Sequence, residues 1–192
     1  MKLILASGSP RRRELLSLYT RDFEVCASDF DEGSVRAASP AALAGALARG
    51  KCLAVSALRP GRLVVGSDTV VELDGEVFGK PKDAADARRM LRALSGRTHQ
   101  VHTGVCVSDG ARTESFVDTC RVTFFPIPEE ELERCIASGE PFDKAGAYAI
   151  QGRAALWLDR LEGDYYTIMG LPVSRTVRLL KSFREEKVDV ER

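Results

Sequence analysis

The chain has 192 residues, and its 28 Lys and Arg balance 28 Asp and Glu for a formal charge of zero. That length suits one domain or two small lobes with a substantial core, and the balance argues against an extended nucleic-acid or membrane-surface binder while allowing a local basic pocket. Five widely spaced cysteines contain no C-x-x-C, which supports neither a zinc knuckle nor a disulfide framework; with no secretory h-region and no segment read as membrane-spanning, a soluble cytoplasmic protein is expected.

Residues 2–6, Lys-Leu-Ile-Leu-Ala, read as a first strand, followed by Ser7-Gly8-Ser9-Pro10-Arg11-Arg12-Arg13. Ser9 is a good N-cap and Pro10 suits the first helical position. Free backbone N–H groups would meet Ser7, Ser9 and the arginines there, the makeup of a phosphate cradle. Walker A spacing is absent. The competing reading is a capped helix with a solvated basic first turn, but arginines at that end oppose the helix dipole, which favours the anion site.

Phe23-Glu24-Val25 reads as a short strand, and an acidic loop follows from Ser28 to Gly33. Its carboxylates, Glu32 among them, suit either solvent or a Mg²⁺ ligand, and both readings stand. Ser39-Pro40 repeats the cap-plus-proline signal ahead of an alanine-rich helix to about Leu58, with Gly45 and Gly50 as irregularities. Lys51 lies four residues after Leu47, so its stem can follow the apolar face and its ammonium reach a cleft; an ordinary surface lysine is the alternative.

The stretch from Arg62 to Pro81 organises the chain. The buried-strand run Leu63-Val64-Val65 meets the polar triplet Ser67-Asp68-Thr69 before Val70-Val71 resumes it. A carboxylate inside a buried strand is costly unless a cation or metal pairs with it. Leu73-Asp74-Gly75-Glu76 supplies a hairpin turn that brings Lys80 back towards the Asp68 end of the sheet. The competing reading has Asp68 bonding nearby backbone at a strand end.

Asp83 caps a helix from Ala84 to about Leu94 with Ala87, Met90, Leu91 and Leu94 inward, ended by Ser95-Gly96. Residues 98–107 alternate as a strand, and His99 and His102, three apart, point to opposite faces and serve as hydrogen-bonding residues. Arg112 to Phe125 reads as its partner strand, with Val117, Val122 and Phe124 as anchors, and Glu129 to Ala137 as a helix behind Pro128. Residues 139–152 form a glycine-containing loop whose Asp143, Lys144 and Gln151 bring charge and an amide able to donate and accept. That amide suits reading the edge of a base, against a turn-stabilising role. Residues 155–158 read as a strand with Trp157 in the core, Val173 to about Phe183 as a final helix, and 184–192 as a charged, fraying tail.

With these motifs in order, the chain resembles the Maf family of nucleoside triphosphate pyrophosphatases from Leu3 to about Leu180. The carrying motifs are Ala6-Ser-Gly-Ser-Pro-Arg-Arg, Asp31-Glu32, Gly66-Ser-Asp-Thr-Val-Val, Gly79-Lys-Pro, Leu94-Ser-Gly-Arg-Thr-His-Gln-Val, Asp143-Lys-Ala-Gly-Ala-Tyr-Ala-Ile-Gln-Gly and Gly170-Leu-Pro. The loop Ala147 to Gly152 matches the dTTP/UTP branch, and Ser67 departs from the usual alanine. The resemblance implies an α/β fold, with an elongated mixed sheet flanked by helices and two lobes around a cleft. One catalytic domain over 1–183 would precede the tail 184–192. It implies hydrolysis of a nucleoside triphosphate to monophosphate and pyrophosphate with Mg²⁺ or Mn²⁺, in a cytoplasmic enzyme without stable nucleic-acid or membrane partners, and allows a homodimer. Asp68 matches the proton acceptor and Glu32 a catalytic or metal-binding acid, with Asp68 also towards the metal. Ser7, Arg12, Lys51 and Lys80 would hold the triphosphate; Arg11, Thr69 and Gln151 match positions linked to substrate choice. The alternative is a nucleotide-sensing or nucleic-acid-binding regulator of cell division that does not hydrolyse.

Overall fold

The structure, a computed structural model, describes the backbone of residues 2–190 and side chains as far as Arg184. Its elements in order are β1 (Leu3–Leu5), α1 (Pro10–Ser17), β2 (Phe23–Val25), α2 (Pro40–Leu58), β3 (Leu63–Leu73), β4 (Glu76–Phe78), α3 (Ala84–Leu94), β5 (Thr98–Ser108), β6 (Thr113–Phe124), α4 (Glu129–Ala137), β7 (Leu158–Glu162), α5 (Tyr165–Met169) and α6 (Val173–Val190). They build one mixed sheet in the order β2-β1-β3-β5-β6-β7, with β4 hairpinned onto β3. β1 runs parallel to both β2 and β3, and the remaining pairs are antiparallel.

Local signals account for the element ends. Ser9, Ser39 and Asp83 each accept a backbone N–H three residues on, at Arg12, Ala42 and Asp86, as side-chain N-caps do. α3 buries Ala87, Met90, Leu91 and Leu94 along one stripe, and Glu129, Glu130 and Glu131 sit at the positive end of α4. The turn between β3 and β4 holds Asp74 and Gly75 at positive φ (52° and 84°), the pattern of a tight hairpin.

α2 is the element that shapes the site. Ala44, Leu47, Ala48, Cys52 and Val55 are buried along its length, and it covers β3 and β5. A Cβ on Gly104 of β5 would lie 2.2 Å from the Ala44 carbonyl oxygen, and one on Gly66 of β3 would lie 2.7 Å from that of Ala48. The sheet therefore presents bare backbone where the helix presses on it. The helix glycines have the same use from the other side: a Cβ at Gly50 would strike the Phe30 ring at 2.3 Å, and one at Gly45 would lie 2.9 Å from Val117. Gly45 and Gly50 thus mark close packing, and α2 runs unbroken through both. By length and composition α2 is also apolar enough to cross a bilayer, correcting the expectation that no segment qualifies; here it lies along the sheet.

Two other expectations are corrected. Residues 155–158 are not a strand: Arg153–Leu156 is a 3₁₀ turn and β7 begins at Leu158. Burial there falls on Ala154 and Trp157, three apart, with Leu156 exposed, a helical rather than an alternating period. Trp157 donates from Nε1 to Glu131 at 2.7 Å. The last helix continues beyond Phe183 to Val190, so the expected charged tail is its continuation as far as that residue; the side chains from 185 and residues 191 and 192 lie outside the described residues.

The segment that holds Tyr148 and Trp157 is tied to the sheet by an aromatic cluster. His99 on β5 packs edge-on against Phe124 of β6 and against Tyr148, and Phe124 packs against Trp157. His99 Nε2 lies 2.8 Å from the Tyr148 hydroxyl. Burial pushes the His99 pKa down to about 4 and the Tyr148 phenol above its usual value.

Two outcomes follow from this packing. Gly104→Ala is expected to destabilise the protein by roughly 3 kcal/mol in chemical denaturation, because neither backbone can give way; unchanged stability would show that α2 is not seated this tightly. An unfolded histidine binds its proton near pH 6.5, while folded His99 stays neutral to about pH 4. Over that window the unfolded state holds more protons, so stability falls on acidification, by up to about 3 kcal/mol. Denaturation of His99→Phe across the same range is expected to show a shallower slope, most clearly above pH 5; an identical slope would remove His99 as the cause.

Candidate active site

All nine residues singled out in the sequence line one cleft of about 890 Å³: Ser7, Arg11, Arg12, Glu32, Lys51, Asp68, Thr69, Lys80 and Gln151. They come from the turn between β1 and α1, the acidic loop, α2, the middle of β3, the segment after β4, and the 139–152 loop. The opposite wall is formed by Asp143, Lys144, Tyr148, Ala149 and Ile150, with Ile168 and Met169 of α5.

The centre is Lys51. Its ammonium lies 2.5 Å from Asp68 Oδ1 and 2.9 Å from Glu32 Oε1. The Asp68 and Lys51 side chains are 12% and 13% exposed, whereas that of Glu32 is 55% exposed. The inner pair is therefore shielded from water and the outer contact is screened. Asp68 faces Gly104 across the β3–β5 ladder, the position where α2 presses on bare backbone, and this seating lets a lysine on that helix reach a carboxylate on the strand.

Arg12 makes the second knot. Its Nε donates to the Gly170 carbonyl at 3.0 Å, Nη1 to Ser7 Oγ at 3.3 Å and Nη2 to Thr69 Oγ1 at 3.1 Å. Burial pulls its guanidinium below the ordinary arginine value, Asp68 opposes this, Arg11 adds to it, and Glu32 opposes it. Behind Thr69 a relay runs into the protein: Thr69 Oγ1 lies 2.9 Å from Thr103 Oγ1, which donates to the Thr167 carbonyl at 2.6 Å. The chain of donors leaves each hydroxyl satisfied. Ser67, buried beside it, has its hydroxyl 2.8 Å from the Gly170 carbonyl and 3.0 Å from that of Gly104. The serine that departs from the usual alanine thus ties the segment after α5 to β5.

Across the cleft, Lys144 donates to the Glu140 carbonyl at 3.1 Å and pairs with Asp143. That bond, with Arg11 contributing, holds the Asp143 carboxyl below the usual range. Gly146 and Ala147 take positive φ of 70° and 61°, and Gly146 N–H donates to the Gly79 carbonyl beside Lys80 at 3.1 Å. Thr103, Lys144, Tyr148 and Gly170 were not singled out from sequence as site residues. Only Lys144 carried a charge signal; the others depend on contacts between distant segments.

Among the described residues no group of three or more His, Cys, Asp or Glu is placed to hold a metal. The acids gathered at the centre are two, Glu32 and Asp68. His99 packs among aromatic rings and His102 bonds Glu72 and Thr119, as their opposite strand faces imply. The arrangement combines several cations, the two carboxylates on Lys51, a third at Asp143, and apolar side chains on the opposite wall, which suits gripping a polyanion that carries a flat group.

Residues 2–183 match the family described as Maf-like protein. The dTTP/UTP pyrophosphatase of Bacillus cytotoxicus is 48% identical over 182 residues, covering 95% of both chains. The dTTP/UTP pyrophosphatase of Bacillus velezensis is also 48% identical over 182 residues, covering 95% of this chain and 96% of that one. Among solved structures, the Ham1 protein of Staphylococcus aureus superposes with a TM-score of 0.54 at 15% identity, over 97% of this chain and all of that one. At that identity the likeness concerns fold alone. Matched by the family over nearly its whole length, and with relatives this similar, the chain belongs to the Maf-like protein family.

Proposed function

We propose that this protein is a nucleoside triphosphate pyrophosphatase that hydrolyses dTTP and UTP, and modified pyrimidine triphosphates of the same shape, to the monophosphate and pyrophosphate. The observation that carries this reading is the meeting of Arg11, Arg12, Lys51 and Lys80 with Glu32 and Asp68 in one cleft. The relatives named dTTP/UTP pyrophosphatase support the choice of substrate.

In this reading Ser7, Arg12, Lys51 and Lys80 hold the three phosphoryl groups. Lys51 turns from the carboxylates to the phosphates as the polyanion enters, which frees Asp68 to orient a water and take its proton. The same cations absorb the charge that develops on the departing pyrophosphate. Arg11, Thr69 and Gln151 select the nucleoside: the uracil or thymine edge presents the N3–H donor between two acceptors, O2 and O4, and an amide can accept from N3–H while donating to one of them. Glu32 and Asp68 fit a Mg²⁺ or Mn²⁺, since such an ion is held by one or two carboxylates with substrate oxygens completing its shell. When bound, it would lower the pKa of water and neutralise phosphate charge. Residues 1–183 are the catalytic unit on this reading. Five free cysteines suit the reducing cytoplasm. Nothing in the fold or the relatives favours the regulator reading.

Pyrophosphate release from dTTP, UTP and 7-methyl-GTP with Mg²⁺ or Mn²⁺ tests the proposal. Turnover of the two pyrimidine nucleotides is expected, and its absence on every nucleotide would end it. Asp68→Asn is expected to lower kcat by roughly a thousandfold while nucleotide affinity, measured calorimetrically, stays within a few-fold. Parent-like rates in that variant would remove Asp68 from the chemistry.

A further inference from the structure

Gln151 is exposed at the cleft, so its aim depends on how firmly the surrounding backbone is held. Two side chains that do not line the cleft hold that backbone from either side. Before Gln151, the buried Tyr148 hydroxyl is bonded to His99 Nε2 at 2.8 Å. After it, the Glu140 carboxylate accepts the Arg153 backbone N–H at 3.1 Å. Gly152 lies so close to this carboxylate that a Cβ there would come within 2.2 Å of Glu140 Oε1. The loop is also under strain: buried Ala147 sits at φ 61°, a region that non-glycine residues enter at a cost and keep only where neighbours fix them.

We propose that His99 and Glu140 are positioning residues that preset the Tyr148–Arg153 segment so that Gln151 meets a pyrimidine edge without reordering. The inference rests on the nucleotide reading above and deepens it. A loop fixed in advance does not lose conformational freedom when the base arrives, so affinity and discrimination are kept. The phosphate-gripping residues come from other segments, Arg12 from α1, Lys51 from α2 and Lys80 from the stretch after β4. Release of the loop therefore weakens recognition of the base and leaves recognition of phosphate intact.

The test compares the parent with Gln151→Ala, His99→Phe, Glu140→Ala and Glu140→Gln. His99→Phe keeps a ring against Phe124 and removes a buried Nδ1 that lacks a partner. Glu140→Gln keeps an acceptor for the Arg153 N–H. In His99→Phe and Glu140→Ala, KM for dTTP is expected to rise roughly tenfold with kcat within about twofold. The preference for dTTP over dGTP is expected to fall by a similar factor, and inhibition by inorganic pyrophosphate to stay unchanged. Glu140→Gln is expected to recover most of the parent's KM. Should His99→Phe fail to fold, the half-buried Glu140 variants carry the test. Parent-like KM and preference in the positioning variants, alongside a loss of preference in Gln151→Ala, would overturn this inference alone. Equal loss of pyrophosphate inhibition would overturn it too, by showing a general structural defect. A parent without dTTP or UTP turnover would overturn the underlying reading and this inference with it.

Discussion

The ion pair between Lys51 and Asp68 depends on how closely a helix can approach a sheet. Asp68 lies inside an eleven-residue strand whose neighbours are almost all buried, where an unpaired carboxylate would carry a heavy desolvation cost. Its partner comes from α2, and that helix reaches it only because Gly66 and Gly104 leave the sheet without side chains under Ala44 and Ala48. Packing and charge are thus one constraint at this place. The result is a cation held between two carboxylates of unequal exposure, with the outer one, Glu32, on a loop at the solvent side.

A second feature is that the cleft is assembled from segments distant in the chain but joined by direct bonds. Arg12 contacts the carbonyl of Gly170, 158 positions away. Thr69 is braced through Thr103 by the Thr167 carbonyl of α5. The 139–157 segment is anchored by aromatic packing on β5 and β6 and reaches back through Gly146 to the Gly79 carbonyl. Arg12 is fixed directly by Gly170 and Thr69, so a shift in either of these would be transmitted to its guanidinium, because close-packed interiors do not deform smoothly.

Much of this was legible in the sequence, for physical reasons. Helix starts at Pro10, Pro40 and Ala84 followed from caps whose hydrogen bonds are local. The β3–β4 hairpin followed from Asp74-Gly75, and Lys51 in the cleft from its spacing to Leu47. The polar triplet inside a buried strand pointed to the cleft, where Asp68 and Thr69 lie, since polar groups there need a reason. What was missed is non-local. Residues 155–158 look like a strand by composition, but Ala155 and Leu156 close a 3₁₀ turn, Trp157 is buried and bonds Glu131 of α4, and only Leu158 belongs to β7. Thr103 stands outside the motifs, and Ser67 and Gly170 lie inside them without a charge to suggest a partner; the bonds they make appear only once β3, β5 and the segment after α5 are seen together.

The central claim is that a water held at Asp68 attacks the innermost phosphoryl group while the cations keep the outer two. Hydrolysis of dTTP in water enriched in heavy oxygen, followed by mass spectrometry of both products, tests it most directly. The claim requires one labelled oxygen in thymidine monophosphate and none in pyrophosphate. Label in the pyrophosphate, or release of orthophosphate in its place, would contradict it.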